Sequence, residues 1–143
     1  IQQVHCCVLG EDHFEALRFA PADLRLQAER ELKSALIQMR QGLIAATGHR
    51  KLLGELCAAA AERCIRVVRG VLHLTGTAVP ELAVDMMATA ASATGVKLVT
   101  LSRAAANTDG FAFVDFHRCY DEINALAAYV DKLPVGKPAA ALN

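Results

Sequence analysis

The 143-residue sequence has no tryptophan, few other aromatic residues and no net charge, because 15 lysines and arginines balance 15 aspartates and glutamates. Without an excess of positive charge, the composition does not indicate binding to nucleic acid or to an anionic membrane surface. The longest apolar runs are far shorter than the roughly 20 residues that a membrane-spanning helix needs. We therefore expect neither a nucleic-acid partner nor a membrane partner.

The short motifs that mark common catalytic and metal sites are missing as well. The sequence has no glycine-rich phosphate loop, no dinucleotide-binding fingerprint and no serine in a Gly-x-Ser-x-Gly context. Its cysteines are odd in number and follow no disulfide or metal-ligand spacing. They are Cys6, Cys7, Cys57, Cys64 and Cys119. We predict no metal site, no cofactor and no catalytic residue in this chain, and we interpret the cysteines as small buried thiols of a cytoplasmic protein.

Alanine and leucine are abundant, which favours helices because these side chains lose little conformational freedom there. Helical periodicity divides the chain into the segments 22–47, 49–75, 80–94, 96–106 and 111–133. Segment 96–106 contains Lys-Leu-Val-Thr-Leu, which is compatible with a strand, but the following Ser-Arg-Ala-Ala-Ala favours a helix. The sequence therefore predicts an all-α fold, an antiparallel up-and-down bundle of four to five helices in one domain over residues 13–133.

Apolar residues three or four positions apart predict which helix faces line the core. In the first two helices they are Leu32, Leu36, Met39, Leu43, Leu53, Cys57, Ala60, Cys64, Val67, Val71 and Leu74. In the later helices they include Leu82, Met86, Ala90, Phe113, Phe116, Tyr120, Ile123, Ala127 and Val130. Pro134 ends the last helix, and we expect residues 134–143 to form a flexible tail.

The N-terminal residues follow a different pattern. Residues 1–10 alternate weakly, as is typical of a short strand, but a single strand must pair with another one. We predict that residues 1–12 form a strand or extended arm, which either belongs to an upstream domain or pairs with a second copy in a homodimer. The candidate interdomain residues at this joint are Glu11, Asp12, Arg25 and Glu29.

The outer face of the second helix carries the candidate ligand-binding residues. Glu62, Arg66, Arg69 and His73 are spaced by four, three and four, which places them within roughly 60° of one another around a helix. They could form a solvated face with a Glu62–Arg66 ion pair. Alternatively, they form a cationic wall for a phosphate-bearing ligand, to which the two arginines would donate forked hydrogen bonds.

Other charged residues are interpreted as surface groups. Glu29 is four residues from both Arg25 and Lys33, so two ion pairs are expected on the first helix, each worth about 0.3 kcal/mol. The carboxylates of the last helix are expected on its outer side, where they add only to solubility. They are Asp115, Asp121 and Glu122.

Three segments together resemble a known family. They are Val-Leu-Gly-Glu-Asp at 8–12, Asp-Leu-Arg-Leu-Gln-Ala-Glu-Arg-Glu-Leu at 23–32, and Arg-Val-Val-Arg-Gly-Val-Leu-His-Leu at 66–74. In this order they resemble the C-terminal helical region of bacterial nucleotidyltransferase-domain proteins. These belong to the DNA polymerase β-like superfamily, which includes the kanamycin-type aminoglycoside nucleotidyltransferases. The resemblance covers about residues 10–133.

The resemblance implies an upstream α/β catalytic domain with a Gly-Ser or Gly-Gly and an Asp-x-Asp/Glu pair, which binds Mg²⁺ and a nucleotide. No such signature occurs in these 143 residues, so no catalytic residue is carried over. For this chain the resemblance implies a non-catalytic helical domain that binds substrate or mediates dimerisation. The alternative is an autonomous helical bundle that binds a small anionic ligand or a protein partner through the arginine face.

Overall fold

A computed structural model of the chain describes residues 6–13, 17, 19–46, 49–107 and 109–134, with the backbone alone at 83 and 84. This part of the chain is all-helical and contains no strand. The helices are α1 (Pro21–Ala45), α2 (Arg50–Leu74), α3 (Ala83–Thr94), α4 (Val99–Ala106) and α5 (Phe113–Asp131). The predicted all-α bundle is therefore confirmed, and the ambiguous segment 96–106 is a helix from Val99 onward.

The α1 helix runs antiparallel to α2 and to α5. The short connection after α1 turns the chain back, so Gly42 near the end of α1 packs against Leu56 near the start of α2. At the other end of α1, the Arg25 side chain reaches the carbonyl of Asp131, the last residue of α5. Because α1 is antiparallel to both α2 and α5, the ends of α1 define the two ends of the bundle.

The α2 helix lies at the centre of the bundle and packs against each of the other four helices. Its buried side is continuous from Leu53 to Leu72. Most of the core positions predicted from periodicity are buried, including Leu32, Met39 and Ile123. The burial of this apolar surface is the main contribution to the stability of the fold.

Two predicted core residues are on the surface instead. Leu82 is 63% exposed because α3 begins only at Ala83, three residues later than expected, so Leu82 precedes the packed turns. Phe113 is 53% exposed at the first position of α5, and Phe111, which precedes the helix, is buried in the core. Both errors arise at helix starts, where periodicity does not fix which way the entering chain points.

The N-terminal segment lies outside the core. Val8 and Leu9 are 92% and 94% exposed, and Gly10 turns the chain with a φ of +84°. The predicted strand is not confirmed, since residues 6–10 form none and residues 1–5 lie outside the described part. The predicted tail also lies outside it, except for Pro134. The described arm thus presents apolar side chains to solvent.

We expect alanine substitutions at two helical glycines to differ. At Gly70 a Cβ would meet no other described atom within 4 Å, whereas at Gly42 it would meet the Leu56 side chain. Gly70→Ala should stabilise the protein by about 1 kcal/mol through helix propensity. Gly42→Ala should gain less or lose stability, because Leu56 must move. Urea unfolding measures the free energy of unfolding of both variants. Equal gains in stability would contradict the close contact between α1 and α2.

Candidate functional site

The candidate ligand-binding residues lie on one side of α2. Glu62, Arg66 and His73 are exposed and Arg69 is half-buried. Over the described residues 49–107, no ion pair joins Glu62 to Arg66, so the pair expected from their spacing is not formed. The ligand-binding role of these residues stays a prediction.

The interdomain candidates on α1 contribute to packing within the bundle. Arg25 Nη1 lies 3.5 Å from Glu29 Oε2, and Lys33 pairs with the other oxygen of Glu29, so both expected ion pairs are confirmed. The hydrogen bond from Lys33 holds the pKa of Glu29 below its ordinary value. Arg25 Nη1 also donates to the Asp131 carbonyl at 3.3 Å, at the negative end of α5.

The other two interdomain candidates lie on the arm. Glu11 is exposed, and its carbonyl accepts a hydrogen bond from the backbone N–H of His13 at 3.1 Å. Asp12 is half-buried. The last turn of α2 lies at the end of the bundle where α1 begins, so Arg25 and His73 lie at the same end of the molecule.

The expectation that Glu122 is only a solubilising charge is wrong. Its Oε1 accepts the backbone N–H of Thr100 and its Oε2 that of Leu101, both at 2.9 Å. These N–H groups lie in the first turn of α4, where helical hydrogen bonding leaves them without partners. Glu122 therefore caps α4 from a neighbouring helix, whereas Asp121 is exposed as expected.

The expectation for Asp115 is wrong as well, because its side chain is buried at the start of α5. Its Oδ2 accepts the backbone N–H of Ala112 at 2.9 Å, which caps the helix. Its Oδ1 lies 2.6 Å from Arg103 Nη2 of α4. The Arg103 guanidinium also stacks 4.4 Å from the ring centroid of Phe111. The hydrogen bond from Ala112, helped by Arg103, lowers the pKa of Asp115.

The cysteines fall into two groups. Cys57, Cys64 and Cys119 are fully buried free thiols, as expected, but Cys6 and Cys7 are exposed because the arm lies outside the core. Burial raises the pKa of Cys64 to about 12. The pKa of Cys119 is also raised, first by a hydrogen bond with Cys57 and then by burial. These two thiols therefore stay protonated and serve as core side chains.

A hollow of about 530 Å³ lies at the end of the bundle where α1 ends. It is lined by the end of α1, the start of α2 and the start of α5, at Leu43, Ala46, Arg50, Leu53, Ala112, Phe113 and Val114. Six of these seven side chains are apolar. The sequence did not predict this hollow, because its lining comes from three distant segments and Phe113 was expected to be buried.

Two further properties bear on binding. Among the described residues, no group of three or more histidine, cysteine, aspartate or glutamate side chains could hold a metal ion. None of the helices in the described part is both long enough and apolar enough to span a bilayer.

Removing the Glu122 carboxylate should destabilise the bundle. We expect Glu122→Ala to lower the free energy of unfolding by about 1–2 kcal/mol, because two N–H groups of α4 lose their acceptor. The control is Asp121→Ala, which removes an exposed neighbouring carboxylate and should change stability by under about 0.5 kcal/mol. Urea unfolding compares the two variants. Equal effects would show that the cap does not stabilise α4.

The Asp115 carboxylate should make stability dependent on acid pH. Since its folded pKa is below the ordinary value of 3.8, the unfolded chain takes up the proton first as pH falls. The wild type should therefore exceed Asp115→Asn in stability at pH 7, and this difference should shrink below about pH 3.8 and vanish below the folded pKa. Urea unfolding from pH 7 to pH 2 measures it, with Asp109→Asn as the exposed control. A difference that is constant with pH would contradict the assignment.

No protein-family model, no curated protein and no solved structure matches the chain. What the protein does must therefore be inferred from its own residues and contacts.

Proposed function

We propose that this chain is a non-catalytic helical domain of a cytoplasmic nucleotidyltransferase-like protein. In this proposal it binds substrate or a second copy of itself, beside an upstream domain that carries the catalytic residues, Mg²⁺ and the nucleotide. The single observation that carries the proposal is the exposure of Val8 and Leu9 on the arm that precedes the bundle in the sequence. Two adjacent aliphatic side chains that are over nine-tenths exposed are best explained by a surface that covers them.

The arrangement of the resembling segments supports the same proposal. The segment 23–32 opens α1 and the segment 66–74 closes α2, and these two helices are antiparallel. The two segments therefore lie at the same end of the bundle, and residues 8–12 precede α1 in the sequence. A region that is split along the sequence but joined in the fold is suited to contact one partner.

The position of the candidate residues is consistent with this role. Arg66, Arg69 and His73 lie in the last turns of α2, at the end of the bundle where α1 begins. Arg66 and Arg69 make no ion pair within the described part of the chain, so their guanidinium groups are available to an anionic group. A substrate phosphate bound between the two domains would meet these side chains.

The contacts of the acidic residues also agree with a binding role. Asp115 and Glu122 accept backbone hydrogen bonds at the starts of α5 and α4. Carboxylates that hold helices in place are not free to ligate Mg²⁺ in phosphoryl transfer. The proposal therefore assigns the metal ligands to the upstream domain.

The gene upstream of Ile1 tests the proposal directly. We expect it to encode a Gly-Ser or Gly-Gly followed by an Asp-x-Asp or Asp-x-Glu pair. The chain of residues 1–143 alone should give no nucleotidyl transfer from Mg²⁺-ATP. A reading frame that begins at or just before Ile1 would overturn the proposal, and so would turnover by the isolated chain.

The arm can be tested in the whole protein. Val8→Asp with Leu9→Asp should expose the joint to limited proteolysis and lower kcat/KM about tenfold or more, because the two domains would no longer be held in register. Val99→Asp, at a 74% exposed position of α4, is the matched control. It should leave the susceptibility to proteolysis and the value of kcat/KM unchanged. Equal behaviour of the arm variant and the control would remove the arm from the interface.

A further inference from the structure

The hollow between α1, α2 and α5 has the size of a small-molecule site. Its volume of about 530 Å³ lies within the roughly 300–1,000 Å³ that ligand pockets occupy. Ala46 and Leu53 are buried and form its floor, and Leu43 is half-buried beside them. The floor is therefore made of aliphatic groups that the rest of the core holds in place.

The outer wall of the hollow is apolar and is formed by Phe113 and Val114. Phe113 and Val114 are each 53% exposed, so each presents about half of its side chain outside the core. The Phe113 ring packs edge-to-face on His117, with the ring centroids 4.7 Å apart and the planes at 87°. This contact fixes the ring direction at the first turn of α5. An apolar ligand in the hollow would cover both side chains.

Among the described residues that line the hollow, Arg50, the first residue of α2, is the one charged side chain. Within the described ranges of the chain, Arg50 forms no ion pair and no side-chain hydrogen bond. None of the described lining residues carries a carboxylate, and the first turn of α2 contains no acidic residue. An unpaired guanidinium at the edge of an apolar hollow favours an anionic group on the ligand. The positive ends of α2 and α5 add to this preference but would hold no ligand on their own.

We propose that this hollow binds a small amphipathic anion, a carboxylate with an apolar body, whose carboxylate pairs with Arg50. The apolar body lies against Leu43, Leu53 and Val114, where its burial gains about 25 cal/mol per Å² removed from water. The carboxylate stays at the rim, where Arg50 donates two parallel hydrogen bonds to its oxygens.

Other hollows fit this ligand less well. A groove between α3 and α4 is smaller, about 380 Å³, and its cation is Lys97, whose ammonium cannot match a carboxylate with two parallel donors. A groove of about 260 Å³ between α1 and α2 is lined by Glu55, which would repel an anion. Lys97 therefore provides the matched control for Arg50.

This site is independent of the proposed nucleotidyltransferase role. The hollow lies at the start of α2, at the end of the bundle opposite the Arg66–His73 face. Binding here would stand even if no catalytic domain precedes the chain, and the proposed role would stand even if the hollow stayed empty. The two proposals can therefore fail separately.

The test uses octanoate and its neutral analogue octanamide as probes of residues 1–143. Calorimetry should show saturable octanoate binding, with octanamide about tenfold weaker because it lacks the charge. Arg50→Gln should weaken octanoate about tenfold and leave octanamide unchanged. Lys97→Gln and Arg66→Gln should bind both probes as the wild type does, and Val114→Glu should lose octanoate binding.

The position of the bound probe is measured independently by NMR. In ¹³C-labelled protein, octanoate should shift the methyl signals of Leu43, Leu53 and Val114 before those of Val99. Absence of saturable binding, equal binding of the two probes, or an unchanged affinity in Arg50→Gln would each overturn the proposal. Shifts centred on Val99 or on α2 near Arg66 would overturn it as well.

Discussion

The packing of α2 against all four other helices is the contact on which the rest of the structure depends. This 25-residue helix has ten buried residues and contacts every other helix of the described part. Cys57, Cys64 and Val71 on α2 are completely buried, so this seam excludes water along its length. The short connection between α1 and α2 makes these two helices antiparallel. The contact between Arg25 and the Asp131 carbonyl shows that α5 is antiparallel to α1 as well. Both candidate binding regions lie where these helices begin or end.

The α4 helix is stabilised by polar contacts as well as by the burial of apolar side chains. Eight residues are too few for a helix to persist in water without support. Leu101 and Ala104 anchor it in the core, Glu122 accepts its first N–H groups, and Arg103 ties it to Asp115. Carboxylates of α5 thus determine the position of α4. Their energetic effect is modest, but they fix the direction in which the short helix lies.

Periodicity was sufficient to predict the helices and most of their buried faces, because residues three or four apart share a side of a helix whatever they pack against. It failed at Leu82 and Phe113, where the chain enters a helix and the direction of the side chain depends on the connection. It also failed at Asp115 and Glu122, since carboxylates on a helix surface look the same in sequence whether they face water or an adjacent helix end.

The candidate sites were predictable to different degrees. The cluster of Arg66, Arg69 and His73 follows from spacing on one helix, so the sequence alone could group them. The hollow is lined by residues of α1, α2 and α5 that lie at the same level along the bundle axis. Their relative positions are known only from the folded structure. Its one sequence signal is Arg50, a cation in the first turn of a helix, where acidic residues are usually favoured.

Because α2 is long, charges at its two ends have little electrostatic effect on each other. Arg50 and Arg66 are 16 residues apart on one straight element, about 24 Å at 1.5 Å per residue. At physiological ionic strength the Debye length is about 8 Å, so a charge placed at one end is almost fully screened at the other. A substitution that changes the charge of the hollow should therefore leave the electrostatic potential at Arg66 nearly unchanged, and the reverse also holds.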